Sequence, residues 1–148
     1  MPSLIVKNSP LLFIAEGPSF REIQKGEPLV GPAGQKLNDV LAQAGLTRAE
    51  VSLCNLVCCL DTTREKKNPI ADEIIACSER LLADIERANP KVIVLLGSLA
   101  LQEFYPGITS ITKARGKARA WKNRVLVPTW HPARILPHRN PEAEPLLV

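Results

Sequence analysis

Several polar residues of this sequence stand directly after short apolar runs, where a folded chain can turn them toward a bound molecule. Glu16, Gly17, Pro18 and Ser19 follow the run 11–15; Asn55 lies late in the run 51–59; Gly97 and Ser98 follow 92–96; Trp130, His131 and Pro132 follow 125–129. If the runs are parallel strands, these motifs sit at strand carboxyl ends, where open α/β sheets bind ligands. A second chemically capable group is the four cysteines, Cys54, Cys58, Cys59 and Cys77. In a reducing compartment metal ligation or plain burial suits them better than a disulfide framework, and their spacing leaves both open. The third group is basic. No acidic residue occurs between Glu103 and Glu142, a stretch holding Lys113, Arg115, Lys117, Arg119, Lys122, Arg124, Arg134 and Arg139. The formal charge of +4 is therefore a body of −4 joined to a segment of +8. Such asymmetry points to a polyanion, nucleic acid or anionic membrane, with a merely solvated basic face as the plain alternative.

The elements that must position these residues follow from the hydrophobic pattern. Continuous apolar runs of about 4–8 residues bounded by turn formers read as buried strands, most often in parallel sheets, which predicts strands at 11–15, 51–59, 92–97 and 125–129. Leu37, Val40, Leu41 and Ala44 recur at helical spacing and Gly45 follows as a cap, predicting a helix over 35–44. Pro69 opens a helix whose face carries Ile74, Cys77, Leu81, Leu82 and Ile85, and Asn89-Pro90 stops it. Ser98 caps a short helix to about Phe104. The segments 26–34 and 60–68 are loops by composition. Strands alternating with helices imply βαβ units, so the expected fold is a three-layer αβα arrangement around a mostly parallel four-stranded sheet, a single domain over 1–148. With 148 residues, 45% hydrophobic and 23% charged, the chain suits one soluble domain and excludes disorder and collagen-like repeats. No run reaches the ~18–20 apolar residues of a bilayer span and the amino terminus lacks a secretory core, so a cytoplasmic, non-membrane protein is expected, acting as a monomer.

The ordered set AEGPS, GEPLVGPAG, LCN, NPxxxExxxC, VIVLLGSLA, ITKARG and VPTWHPARIL resembles the uracil-DNA glycosylase superfamily, and within it the iron-sulfur, thermostable-type family 4. That family typically shows GE(A/G)PG, GxPFVGxAG, ITN, a KC and NRxP stretch, an ALG-type strand end and HPA. The order holds from Leu11 to Pro141. The resemblance implies a base-excision repair enzyme that flips uracil, or a related deaminated base, out of DNA and hydrolyses its N-glycosidic bond, with water as nucleophile and no metal in the chemistry.

It also implies roles. Glu16 and Glu22 would stand near the sugar and the attacking water, and Gly17 would present backbone amides to the base. Asn55 would read the base edge, because an amide offers donor and acceptor together. His131 would donate to uracil O2 as charge gathers there. Lys113, Arg115, Lys117, Arg119 and Arg134 would meet phosphates, and Ile135 and Leu136 are suited to wedge into the gap left by the base. Each residue also has an ordinary reading: a surface glutamate, an asparagine satisfying backbone groups, a turn histidine, an apolar anchor for a loop.

Some positions depart from the family pattern. Leu29 replaces the phenylalanine that stacks on uracil, and Ala15 and Ser19 replace the outer glycines of the first motif. A [4Fe-4S] cluster usually takes four thiolates. Cys59 and Cys77 match the two later ligands, but no cysteine precedes Cys54 to supply the earlier Cys-x2-Cys pair, and the chain is short at both ends, so no cofactor is expected. These departures support a second reading, a catalytically impaired glycosylase-fold module that binds DNA or a partner. A phosphate-binding nucleotide domain is disfavoured, since neither GxxxxGK[ST] nor GxGxxG occurs.

Overall fold

A computed structural model describes residues 3–6, 9–58 and 69–135. Strands β1 (Leu11–Ala15), β2 (Ser52–Asn55), β3 (Val92–Leu96), β4 (Arg119–Trp121) and β5 (Arg124–Thr129) form one sheet in the order β2-β1-β3-β5-β4. All neighbours are parallel except the β4–β5 hairpin. The sheet is therefore mostly parallel, as expected, with one strand more than the four read from the sequence. β4 escaped because Arg-Ala-Trp is short, largely exposed and set in a basic stretch, with none of the continuous apolar character of a buried strand. Pro128 is accommodated within β5 because it lies beyond Arg124–Leu126, the part of the strand that β4 covers.

Successive side chains of β1 alternate between the sheet's faces. Leu12 and Ile14 join Ile93, Leu95 and Leu126 in a core beneath helices α3 (Ala71–Ala88) and α4 (Ser98–Phe104), through Leu81, Ile85, Leu101 and Phe104. Phe13 and Ala15 join Leu53 and Leu96 in a second core beneath α2 (Pro32–Gln43), through Leu37 and Leu41. Helices thus cover both faces. Leu12, Ile14, Ile93, Leu95 and Leu126 are inaccessible to solvent, and each contributes roughly 2 kcal/mol by burial.

The predicted helix at 35–44 begins earlier, at Pro32, because proline fits the first helical turn. The predicted strand at 51–59 is shorter, running from Ser52 to Asn55. Two short helices were not predicted: α1 (Phe20–Lys25), which starts at a Ser19/Glu22 capping box, and α5 (Ile111–Ala114), capped by Ser110. The loop predicted at 60–68 lies outside the described residues. No helix among the described residues is long and apolar enough to cross a membrane.

Candidate active site

The four parallel strands end on one side of the sheet, and their register aligns those ends. Ala15 stands beside Asn55, and Leu96 beside Thr129. Glu16, Asn55, Gly97 and His131 therefore emerge along a single rim. Gly97 links two of them: a Cβ there would lie 2.2 Å from Glu16 Oε1 and 3.4 Å from the His131 Cβ. Its φ of +95° is a second reason that only glycine fits comfortably, and its N–H donates to Thr129 O at 3.0 Å. Burial raises the Glu16 carboxyl above the ordinary carboxylate value, while a hydrogen bond from the Leu99 backbone amide opposes the shift.

His131 has one ring nitrogen committed. The Ala133 backbone N–H donates to Nδ1 at 3.1 Å, so the neutral imidazole carries its hydrogen on Nε2. Asn55 is 3% exposed and its Nδ2 has no hydrogen-bond partner among the described residues. A buried amide donor without a partner is costly, of the order of 1–3 kcal/mol, so an acceptor on a bound molecule would be favoured there. Gly17 lies at the same rim; a Cβ there would meet Pro69 Cγ at 2.9 Å.

Glu22 and Leu29 belong to one local construction. The Glu22 carboxylate, buried with the residue 6% exposed, accepts from the Ser19 N–H and from the Leu29 N–H, the latter at 2.5 Å. Arg48 closes the other side, donating to Leu29 O and Pro28 O at 2.7 Å each. Leu29 is held at φ +52°, with a side chain buried against Phe13, Ala15, Leu37 and Leu41. Gly34 permits this, since a Cβ there would come within 1.7 Å of Leu29 O. The loop meets the rim because α2, which follows it, packs against the 3-10 turn Pro132–Ile135 that follows His131.

The family model described as "Uracil DNA glycosylase superfamily" matches residues 2–146. The chain belongs to the uracil-DNA glycosylase superfamily. It is 39% identical over 140 residues to the type-4 uracil-DNA glycosylase of Thermotoga maritima, covering 93% of this chain and 72% of that one. Identity to the type-4 enzyme of Sulfurisphaera tokodaii is 35%, covering 88% and 62%, and to that of Archaeoglobus fulgidus 31%, covering 92% and 71%. The chain thus spans about two thirds of the length of these relatives.

Among uracil-DNA glycosylases the family 4 resemblance implies an iron-sulfur cluster, and of the described cysteines Cys54 does not fit one. Cys54 is buried in the core beneath α3, where burial pushes its thiol well above the ordinary value and away from the thiolate a cluster needs. Cys77 packs against the same core. Cys59 lies outside the described residues. Among the described residues no group of three or more His, Cys, Asp or Glu side chains could hold a metal ion.

The described residues of the basic segment spread from one end of the sheet to the other, and Arg139 lies outside the described residues. Arg115 and Arg134 both stack on Trp130, with guanidinium carbons 4.7 and 4.8 Å from the ring centroid, directly beside His131. A hydrogen bond from Gly116 N to Pro128 O keeps the α5 end near the same rim, and Lys113 and Lys117 flank it, both exposed. Arg119 lies midway, over Tyr105 at 5.0 Å, because it pairs with Leu126. Lys122 is in the β4–β5 turn at the opposite end. Arg124 is at that end too, bonded to Asn89 Oδ1, Pro90 O and Glu86. Leu136 and the side chain of Ile135 lie outside the described residues. Sequence reasoning missed Arg48, Arg80 and the stacking role of Trp130, since a residue that acts on distant backbone or on a distant ring leaves no local pattern.

Proposed function

We propose that this protein removes uracil, or a related deaminated base, from DNA by hydrolysing the N-glycosidic bond of a flipped nucleotide. The observation that carries the reading is the buried, unpartnered Nδ2 of Asn55 on the same rim as Glu16 and His131. An amide N–H aimed at a base edge accepts uracil through its O4 and disfavours cytosine, whose amino group presents a donor at that place. His131, with Nδ1 occupied, donates from Nε2 to uracil O2 while the base leaves with the bonding electrons. Such a donor is worth on the order of 3 kcal/mol of barrier. Glu16, ionised, orients the water that attacks the sugar C1′ and opposes the positive charge developing on the ring. The water proton released goes to solvent, and the base anion is protonated after departure.

Glu22 serves this reaction indirectly, because both its oxygens hold backbone amides. Gly17 lets backbone approach the base closely, and Leu29 forms an apolar floor. Arg115 and Arg134, two cations sharing one indole, favour a phosphate between or beside them, and the exposed Lys113, Lys117 and Arg119 extend the contact to flanking DNA. Leu29 also favours the second reading, since replacing aromatic stacking forfeits ~1–3 kcal/mol per base and would leave a DNA-binding module with impaired excision. Oligonucleotides bearing uracil, hypoxanthine or xanthine, single- and double-stranded, separate the two. We expect free base from the uracil substrate; tight binding with no base released from any of them would support the impaired module instead.

A further inference from the structure

We propose that Arg80 is a positioning residue for Asn55, an inference that deepens the reading above and rests on it. β2 is an edge strand. Its alternate residues face β1, as the bond from Leu56 N to Ala15 O at 3.0 Å shows, so the backbone groups of Leu53 and Asn55 face outward. Leu53 is satisfied by Leu4, through bonds of 2.8 and 2.9 Å. The Asn55 carbonyl is satisfied from α3 instead: Arg80 Nη2 donates to it at 2.5 Å and to Leu56 O at 3.2 Å.

The other arm of the same guanidinium is held just as firmly. Nη1 donates to Asp84 Oδ2 at 2.8 Å and to Ser3 Oγ at 3.0 Å. Asp84 is 3% exposed and also accepts from Ser3 Oγ and Arg87 Nη1. A buried carboxylate thus fixes a planar fork, and the fork fixes the backbone at the last residue of β2. Because Asn55 Nδ2 has no partner among the described residues, the aim of that amide depends on where its backbone is held. Misplacement by ~1 Å is enough to cost about 100-fold in rate.

The test is a double-mutant cycle read as single-turnover uracil release, with enzyme in excess, at a temperature far below melting. Arg80→Lys keeps a cation beside Asp84 but loses the fork that reaches the Asn55 carbonyl. Arg80→Met paired with Asp84→Leu removes both charges together, so that no unpaired buried charge compromises folding. Either variant is expected to slow release about 10- to 100-fold in the wild-type background, with duplex affinity changed by less than about threefold, and to slow it by less than about threefold when Asn55→Ala is present. An equal loss in both backgrounds overturns the proposal while leaving the role of Asn55 intact, and so does a wild-type rate in both Arg80 variants. If Asn55→Ala itself releases uracil at the wild-type rate, the reading of Asn55 fails and the proposal fails with it.

Discussion

At the end of β5 the Ala133 backbone amide donates to His131 Nδ1, so the neutral imidazole carries its hydrogen on Nε2. His131→Ala should therefore lower single-turnover uracil release by about 100- to 1,000-fold, while duplex affinity, measured by anisotropy, stays within about threefold of wild type. Glu16 gives a pH signature. Burial raises its carboxyl above the ordinary value, so the acid limb of the rate profile should fall at higher pH than for an unperturbed carboxylate, and Glu16→Gln should abolish that limb. Stability carries the same sign: a raised carboxyl keeps its proton longer in the folded state, so its contribution is fully present below the unfolded value and is lost as pH rises through the folded one. Relative to Glu16→Gln, wild type should be most stable in acid and lose ground toward neutrality, as denaturant melts at several pH values will show. Glu16 and His131 were legible because each follows an apolar run, and Asn55 because it is a polar residue late in one. The Asn55 anchor was not, because Arg80 on its helix looks like any solvated arginine until the edge of β2 is brought against it.

The Leu29 loop shows what an element adds to a motif. Its sequence announces a turn, yet the conformation is set by groups before and after it: Glu22 on the amide, Arg48 on the carbonyl, Gly34 against the same oxygen. Gly34→Ala should cost about 3 kcal/mol, read as a lower urea midpoint with an unchanged slope, since its Cβ would overlap backbone that cannot retreat. Buried strands and the long helices declared themselves by periodicity, because burial on one or both faces demands it. Helix α1 and strand β4 did not. The first is one capped turn and a half, specified by Ser19 and Glu22 rather than by an apolar stripe; the second is held by pairing with β5 and by the packing of Trp121 on Phe104, with ring centroids 5.2 Å apart.

Over the whole molecule, the basic segment read as one patch becomes two. Replacing Arg115 and Arg134 by alanine should reduce the dependence of log affinity on log salt by roughly 0.9 for each duplex phosphate that is no longer neutralised. Arg124→Ala should leave that slope unchanged and lower stability instead, because the side chain ties β5 to Asn89, Pro90 and Glu86. Charge counting found the segment but could not divide it, since the division is made by the β4–β5 hairpin that carries Lys122 and Arg124 away from the rim. Whether the rim of Glu16, Asn55 and His131 excises uracil is decided by incubating the protein with a duplex containing a single uracil and quantifying free uracil alongside abasic sites. Wild type should yield the two in equal amounts, with release at least about 100-fold slower from His131→Ala; protein that binds the duplex yet frees no uracil would contradict that role for the rim.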